Sequence, residues 1–152
     1  MSINSSKLLS VAMKEIGTVE LPPNSNETKY GKWFGLNGVA WCGIFVSWCY
    51  AMAGYKLPKI GFTNGFAGCQ TAVKYFKDND LIVKTPEPGD IVFYDWNGDL
   101  RYDHTGIFIK DIDGKSFRAV EGNTSFSNQS NGGQVMERQR KYESAIFARP
   151  KF

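Results

Sequence analysis

Residues 38–54 read GVAWCGIFVSWCYAMAG. Trp41 precedes Cys42, Gly43 follows it, and an apolar run at helical spacing continues to Gly54. The pattern predicts a buried helix that starts near Cys42 and ends at Gly54, with Phe45, Val46, Cys49, Met52 and Ala53 on its inner face. A thiol at the start of such a helix has two explanations. Free cysteine is among the most buried residue types and fills cores as a small hydrophobe. Alternatively it is a nucleophile, because a helix N-terminus directs unpaired N–H groups and partial positive charge at whatever sits there.

The flanking sequence supplies the rest of the architecture. Upstream, Ser5 or Ser6 is placed to cap a first helix with Leu8, Leu9, Ala12, Met13 and Ile16 on one face and Gly17 as its stop. Residues 20–37, ELPPNSNETKYGKWFGLN, read as an irregular surface segment carrying the aromatics Trp33 and Phe34. A third helix is expected over residues 66–78, with Cys69, Val73 and Phe76 inward. The period then changes to two. DIVFYDW (90–96), HTGIFIK (104–110), SFRAVEG (116–122), QVMERQR (134–140) and SAIFARP (144–150) are strand candidates, with turn signals at Asn97-Gly98 and Asp113-Gly114. Helices first and strands second indicate an α+β fold, N-terminal helices packed on a C-terminal antiparallel β-sheet.

A chain of 152 residues with 42% hydrophobic content can bury a full core without disulfides, and 22% charged residues do not suggest disorder. The net charge of +3 comes without a dense Lys/Arg run, which argues against nucleic acid as a partner. The cysteines at 42, 49 and 69 are an odd number without staple-like spacing, so reduced thiols and a reducing compartment are expected. Near the N-terminus Lys14 and Glu15 interrupt the apolar residues, unlike a signal peptide. No segment approaches the roughly 20 apolar residues of a membrane span. The expectation is a soluble monomer, made in the cytoplasm and not inserted in a membrane.

His104, at the start of a strand, is the one histidine of the chain. A cysteine with its ordinary pKa near 8.5 is only about 3% thiolate at pH 7. A helix N-terminus together with a neighbouring imidazolium lowers thiol pKa values to roughly 3.5–7.5. Thiol at a helix start, imidazole on a strand edge and helices before sheet form the arrangement in which a cysteine nucleophile meets its base. Such a base needs an orienting group on its other nitrogen. In VEGNTS (120–125), a regular strand puts Glu121 and Asn123 on one face, where Glu121 supplies a carboxylate and Asn123 a second polar contact. Cys49 lies two turns into its helix, away from any dipole end, and Cys69 reads as packing.

The acidic stretch after residue 94 offers a metal site as a competing reading. DWNGDLRYD (95–103) presents Asp95, Asn97, Asp99 and Asp103 at spacings resembling a calcium loop. Its glycine comes at the fourth position, and Gly106 stands where a bidentate glutamate is needed. The stretch therefore reads as an acidic hairpin turn, with no metal or cofactor expected, and Asp103 is a candidate to raise the pKa of His104.

AWCGIFVSWC (40–49), PGDIVFYDWNGDLRYDHTGIFI (88–109) and VEGNTS (120–125), in that order, resemble the CHAP family of cysteine-dependent amidohydrolases and peptidases. VELPPNSNETKYGKWFGLNGVAWC (19–42) looks like the form found in bacteriophage endolysins. The resemblance implies a papain-like (CHAP/NlpC-type) fold, residues 1–152 as one catalytic domain, and hydrolysis of amide bonds in bacterial peptidoglycan without a cofactor. It places the nucleophile at Cys42, the base at His104, the acidic partner at Glu121 and a fourth polar residue at Asn123. Many relatives carry a separate wall-binding domain, for which these 152 residues have no room, so either a domain of a longer protein or a minimal enzyme is expected. It also implies synthesis in a host bacterium and action on the wall once the membrane is opened. In the mechanism that follows, the backbone N–H of Cys42 stabilises the oxyanion. Tyr30, Asn26 and Asn37 are candidates for the second donor, and Trp33, Phe34 and Trp41 for lining a substrate groove. Two other readings are a non-catalytic wall-binding module and a thiol protease or antibacterial effector on the same fold.

Overall fold

The computed structural model describes residues 2–152. The first helix, α1 (Ser5–Met13), is capped by Asn4, one residue before the serines expected to do so. Asn4 is extended (φ −85°, ψ 96°), which directs its side-chain oxygen at the Lys7 N–H, 3.1 Å away. Leu8 and Ala12 are buried, whereas Ile16 is 42% exposed because the helix has ended before it. The chain leaves α1 through Gly17, at φ +96°, whose N–H donates to the Val135 carbonyl.

The segment expected to be irregular contains a short helix, α2 (Lys29–Phe34). Thr28 caps it by accepting from the Gly31 N–H, and Gly35 ends it in the left-handed region at φ +92°. Six residues are too few for hydrophobic periodicity to reveal, so only its caps betrayed it. The central helix α3 (Cys42–Met52) begins at Cys42 as expected. Ile44, Phe45, Val46, Cys49 and Tyr50 are fully buried, so α3 is enclosed nearly all round, although Met52 is 45% exposed. The fourth helix, α4 (Cys69–Asp78), starts three residues later than expected, with Cys69, Val73 and Phe76 inward. Phe66 and Ala67 are instead strapped across the first turn of α3. The Ser47 hydroxyl donates to the Gly43 and Phe66 carbonyls and accepts from the Phe66 N–H, all within 3.0–3.1 Å.

Six antiparallel strands follow: β1 (Ile82–Val83), β2 (Ile91–Tyr94), β3 (His104–Asp111), β4 (Ser116–Thr124), β5 (Gln134–Lys141) and β6 (Ala145–Ala148), in the order β1-β6-β2-β3-β4-β5. The two-residue β1 pairs with β6 and is too short to show alternation in the sequence. Ile91, Phe93, Ile107 and Val120 face the helices, and Val92, Tyr94, Phe108, Phe117, Ala119 and Phe147 form a second core on the other face. Every residue of β2 is therefore buried, which explains its unbroken apolar run. The β2–β3 and β3–β4 turns carry Gly98 (φ +71°) and Gly114 (φ +78°), at the two expected turn dipeptides.

Helix α3 lies against β3 and β4, and Gly122 makes this contact close. A Cβ there would stand 2.7 Å from Phe45 Cβ and 2.9 Å from Trp41 Cζ3. The first turn of α3 is thereby brought to the ends of the strands that carry His104 and Glu121.

Candidate active site

Cys42 is the first residue of α3 and is 6% exposed. Its helix has no side-chain cap, because Trp41 stands at the N-cap position and cannot accept a hydrogen bond there. The first amides of the helix thus remain available to the sulfur and to a reacting group beside it. Trp41 itself is buried, its indole N–H donating to Glu20 Oε1 over 3.1 Å.

His104 opens β3 and is fully buried. Its Nε2 lies 3.0 Å from Glu121 Oε1. With Nε2 occupied, Nδ1 is the atom left to carry the ring's interaction with Cys42. No partner meets Nδ1 at close hydrogen-bond geometry, in keeping with the loose contacts of catalytic pairs before substrate binds. The ring is sandwiched: Tyr94 stacks on it at 5.9 Å and 20°, and Trp96 at 5.7 Å and 27°.

Glu121 is fully buried and well satisfied. Besides His104, it accepts from the Tyr94 hydroxyl (2.7 Å), from Arg140 Nε (3.0 Å) and from Arg140 Nη2 (2.5 Å). The Arg140 guanidinium also lies 4.9 Å from the Trp96 ring centroid and 5.3 Å from that of Tyr94. Gln129 Oε1 accepts from both Arg140 and Arg138, at 2.6 Å each. Gly106 leaves the space in which Glu121 sits, since a Cβ there would come 2.5 Å from Glu121 Cγ.

These contacts set the charges. Burial favours neutral Glu121, yet His104 and Arg140 overcome it and hold the carboxyl down at about 2. Burial likewise opposes a charged His104, but the Glu121 carboxylate and, after it, the neighbouring Cys42 sulfur raise the imidazole to about 9. The Cys42 thiol is held well below its ordinary value by the neighbouring Cys69, against burial, with further help from His104 and the Gly43 N–H. Cys49, equally buried but without such neighbours, is pushed up by desolvation. These directions favour a thiolate at Cys42 and an imidazolium at His104, with a carboxylate behind the ring.

The structure thus brings Cys42, His104 and Glu121 into one line. Asn123 stands apart from it. The β4–β5 register shifts between Glu121 and Thr124 and Asn123 adopts φ +60°, which breaks the alternation assumed for a regular strand. Its side chain donates to Asn131 Oδ1 (2.9 Å) and accepts from the Gly133 N–H (2.9 Å), fixing the loop after β4 instead of touching His104. Asp103, the candidate for raising the His104 pKa, accepts from the Trp96 N–H, and the carboxylate that raises the imidazole is Glu121. Asp95, Asn97 and Asp99 accept backbone N–H groups of their own loop.

The remaining candidates are structural in their contacts. Tyr30 is buried between Trp41 and Trp48 with its hydroxyl on Glu15, and Asn37 accepts from the Thr28 N–H. Asn26 is at φ +60°, its carbonyl accepting from the Gly38 N–H. Phe34 and Trp41 are core residues, leaving Trp33 partly exposed. Tyr94, Trp96, Arg140 and Cys69 escaped the sequence reading. The available signal for Arg140 was its two-residue spacing from Arg138, which puts two cations on one strand face.

A thiol at a helix start, an imidazole on the adjoining strand and a buried carboxylate behind it, on helices packed against an antiparallel sheet, define a papain-like cysteine hydrolase. Residues 34–123, more than half of the chain, match the family model of the CHAP domain, and the chain belongs to that family of cysteine, histidine-dependent hydrolases. The fold is also similar to the crystal structure of the wild-type endolysin LysIME-EF1. The TM-score is 0.61 at 14% identity, over 99% of this chain and 66% of that one. None of the curated proteins matches the sequence.

Proposed function

We propose that this protein is a peptidoglycan hydrolase of the endolysin type, an N-acetylmuramoyl-L-alanine amidase or peptidoglycan endopeptidase that uses Cys42 as nucleophile. The observation that carries the reading is the buried line Cys42–His104–Glu121 within a CHAP domain. Membership of that family and the likeness in fold to an endolysin support the wall as substrate.

The Cys42 thiolate attacks the amide carbonyl, and the backbone N–H of Cys42 stabilises the developing oxyanion. The His104 imidazolium protonates the leaving amine as the C–N bond breaks, giving a thioester on Cys42 and a neutral imidazole. Water then attacks the thioester, passing a proton to His104; the acid leaves and the thiolate–imidazolium pair is restored. Glu121 fixes the ring and stabilises its charged form, and Arg140 and Tyr94 keep Glu121 ionised. Asn123 serves the site by holding the loop after β4. The catalytic unit is residues 1–152, acting as a monomer without a metal or cofactor. It is made in the host cytoplasm and reaches the wall once the membrane is opened. No helix among the described residues is long and apolar enough to cross a membrane.

The test is digestion of purified cell walls, followed by mass spectrometry of the released fragments. Wild-type protein is expected to generate new amino and carboxyl termini at one kind of amide bond, and folded Cys42→Ala none. Binding to walls without cleavage by the wild type, or cleavage by Cys42→Ala, overturns the reading.

A further inference from the structure

Cys69 is a buried thiol that the mechanism above does not use. It is the first residue of α4, as Cys42 is the first residue of α3, so two helix N-termini each present a sulfur. Residues 66–68 bring them together. Ser47 ties the backbone of Phe66 to the first turn of α3, and Gly43 approaches so closely that a Cβ there would lie 2.7 Å from the Ala67 carbonyl oxygen. A side chain on Gly43 would push this strap, and Cys69 with it, away from the nucleophile. Both thiols are free, and each acts on the other's ionisation.

We propose that Cys69 is a positioning residue for the hydrolase, its S–H donating to the Cys42 thiolate and holding that sulfur ionised and aimed between the imidazole and the helix amides. The polarity of the bond follows from what surrounds each sulfur. Cys42 has the His104 imidazolium from β3 and the Gly43 N–H from its own helix, and Glu121 of β4 acts on it only through His104. Cys69 has the negative charge of Asp103, from the loop before β3, and no cation. The negative charge therefore settles on Cys42 and the proton on Cys69. Burial and the neighbouring thiolate hold the Cys69 thiol well above its ordinary value, which keeps it a donor throughout the working range. A thiol is a weaker donor than a hydroxyl. It steadies the thiolate in the resting enzyme and gives up little when the sulfur becomes a thioester.

The inference rests on Cys42 being the activated thiol, and its test does not need the wall substrate. The pH dependence of Cys42 carboxamidomethylation by iodoacetamide is followed by mass spectrometry in wild type, Cys69→Ala and Cys69→Ser. In Cys69→Ala the midpoint is expected to rise by about one pH unit, with labelling at pH 6 slowed roughly tenfold, since one unit is a tenfold change in the thiolate equilibrium. Cys69→Ser, whose hydroxyl still donates, is expected to keep the wild-type midpoint. An unchanged midpoint in Cys69→Ala, or equal displacement in both variants, overturns the proposal. An ordinary midpoint in the wild type removes instead the activated thiol on which it rests. Should Cys69→Ala not fold, the infrared S–H stretching band of Cys69 in the wild type is decisive. It is expected to move to lower frequency as Cys42 ionises, and a band indifferent to that ionisation overturns the proposal.

Discussion

Glu121 Oε1 lies 3.0 Å from His104 Nε2, and neither side chain has any exposure to solvent. A buried carboxylate facing a buried imidazole is tolerable only if the pair is charged and its remaining lone pairs are satisfied. Tyr94 and Arg140 meet that condition for Glu121. The arrangement makes the charge state of His104 a property of the fold.

Glu121→Gln keeps the shape of that contact and removes its charge. The His104 imidazole is then no longer held at about 9, and the thiolate loses its counter-ion. Activity is expected to fall roughly a thousandfold, within the 10²–10⁴ attributed to general acid–base catalysis. Cleavage rates on purified walls, compared with circular dichroism of the folded variant, check this.

Stability should follow pH in a defined way. His104 is raised in the folded chain, so its contribution is complete below the ordinary imidazole value near 6.5 and lost as pH rises through about 9. Glu121 is depressed, so its contribution is present above the ordinary value near 4.5 and lost as pH falls through about 2. Cys42 is depressed too, so its contribution grows as pH rises towards its ordinary value and offsets the loss from His104 over that range. The melting temperature of the wild type is therefore expected to be highest between about 6.5 and about 9 and to decline on both sides. Both limbs should be shallower in Glu121→Gln, as measured by scanning calorimetry across pH.

Arg140 holds Glu121 through two nitrogens while stacking on Trp96. Arg140→Met leaves a buried carboxylate with fewer partners and is expected to destabilise the fold by about 3–5 kcal/mol. Arg140→Lys should not restore stability, because an ammonium cannot reproduce the planar fork. Urea denaturation of the three proteins measures the difference.

Gly122→Ala places a methyl against Phe45 and Trp41 and forces α3 away from β4. About 1–3 kcal/mol of destabilisation is expected from the overpacking. Because Cys42 moves with α3 and Glu121 stays with β4, activity should fall roughly a hundredfold, the effect of a misplacement of about 1 Å. Urea denaturation and wall-cleavage rates on the same preparation separate the two losses.

What the sequence revealed depended on how far each feature reached along the chain. The start of α3 at Cys42 was legible because an apolar run at helical spacing begins there and continues to Gly54. The five longer strands were legible from alternation or, for Ile91–Tyr94, from an apolar run between turn signals. α2 and β1 are too short to show a period. The partners of Glu121 were not legible, because Arg140 reaches it from the neighbouring strand, 19 residues away. The regular alternation assumed for Glu121 and Asn123 fails for a local reason: Asn123 is left-handed and the register shifts between Glu121 and Thr124. Cys69, read as packing, sits beside Cys42 only because Ser47 and Gly43 seat the 66–68 strap on α3.

The central claim, that Cys42 is ionised by its pairing with His104, is tested most directly by competitive alkylation of the three cysteines at pH 6. Cys42 is expected to be modified much faster than Cys49 or Cys69, because its thiol is held well below its ordinary value while theirs are pushed up. His104→Ala should slow the labelling of Cys42. Equal labelling of all three thiols, or a Cys42 rate indifferent to the loss of His104, would contradict the account.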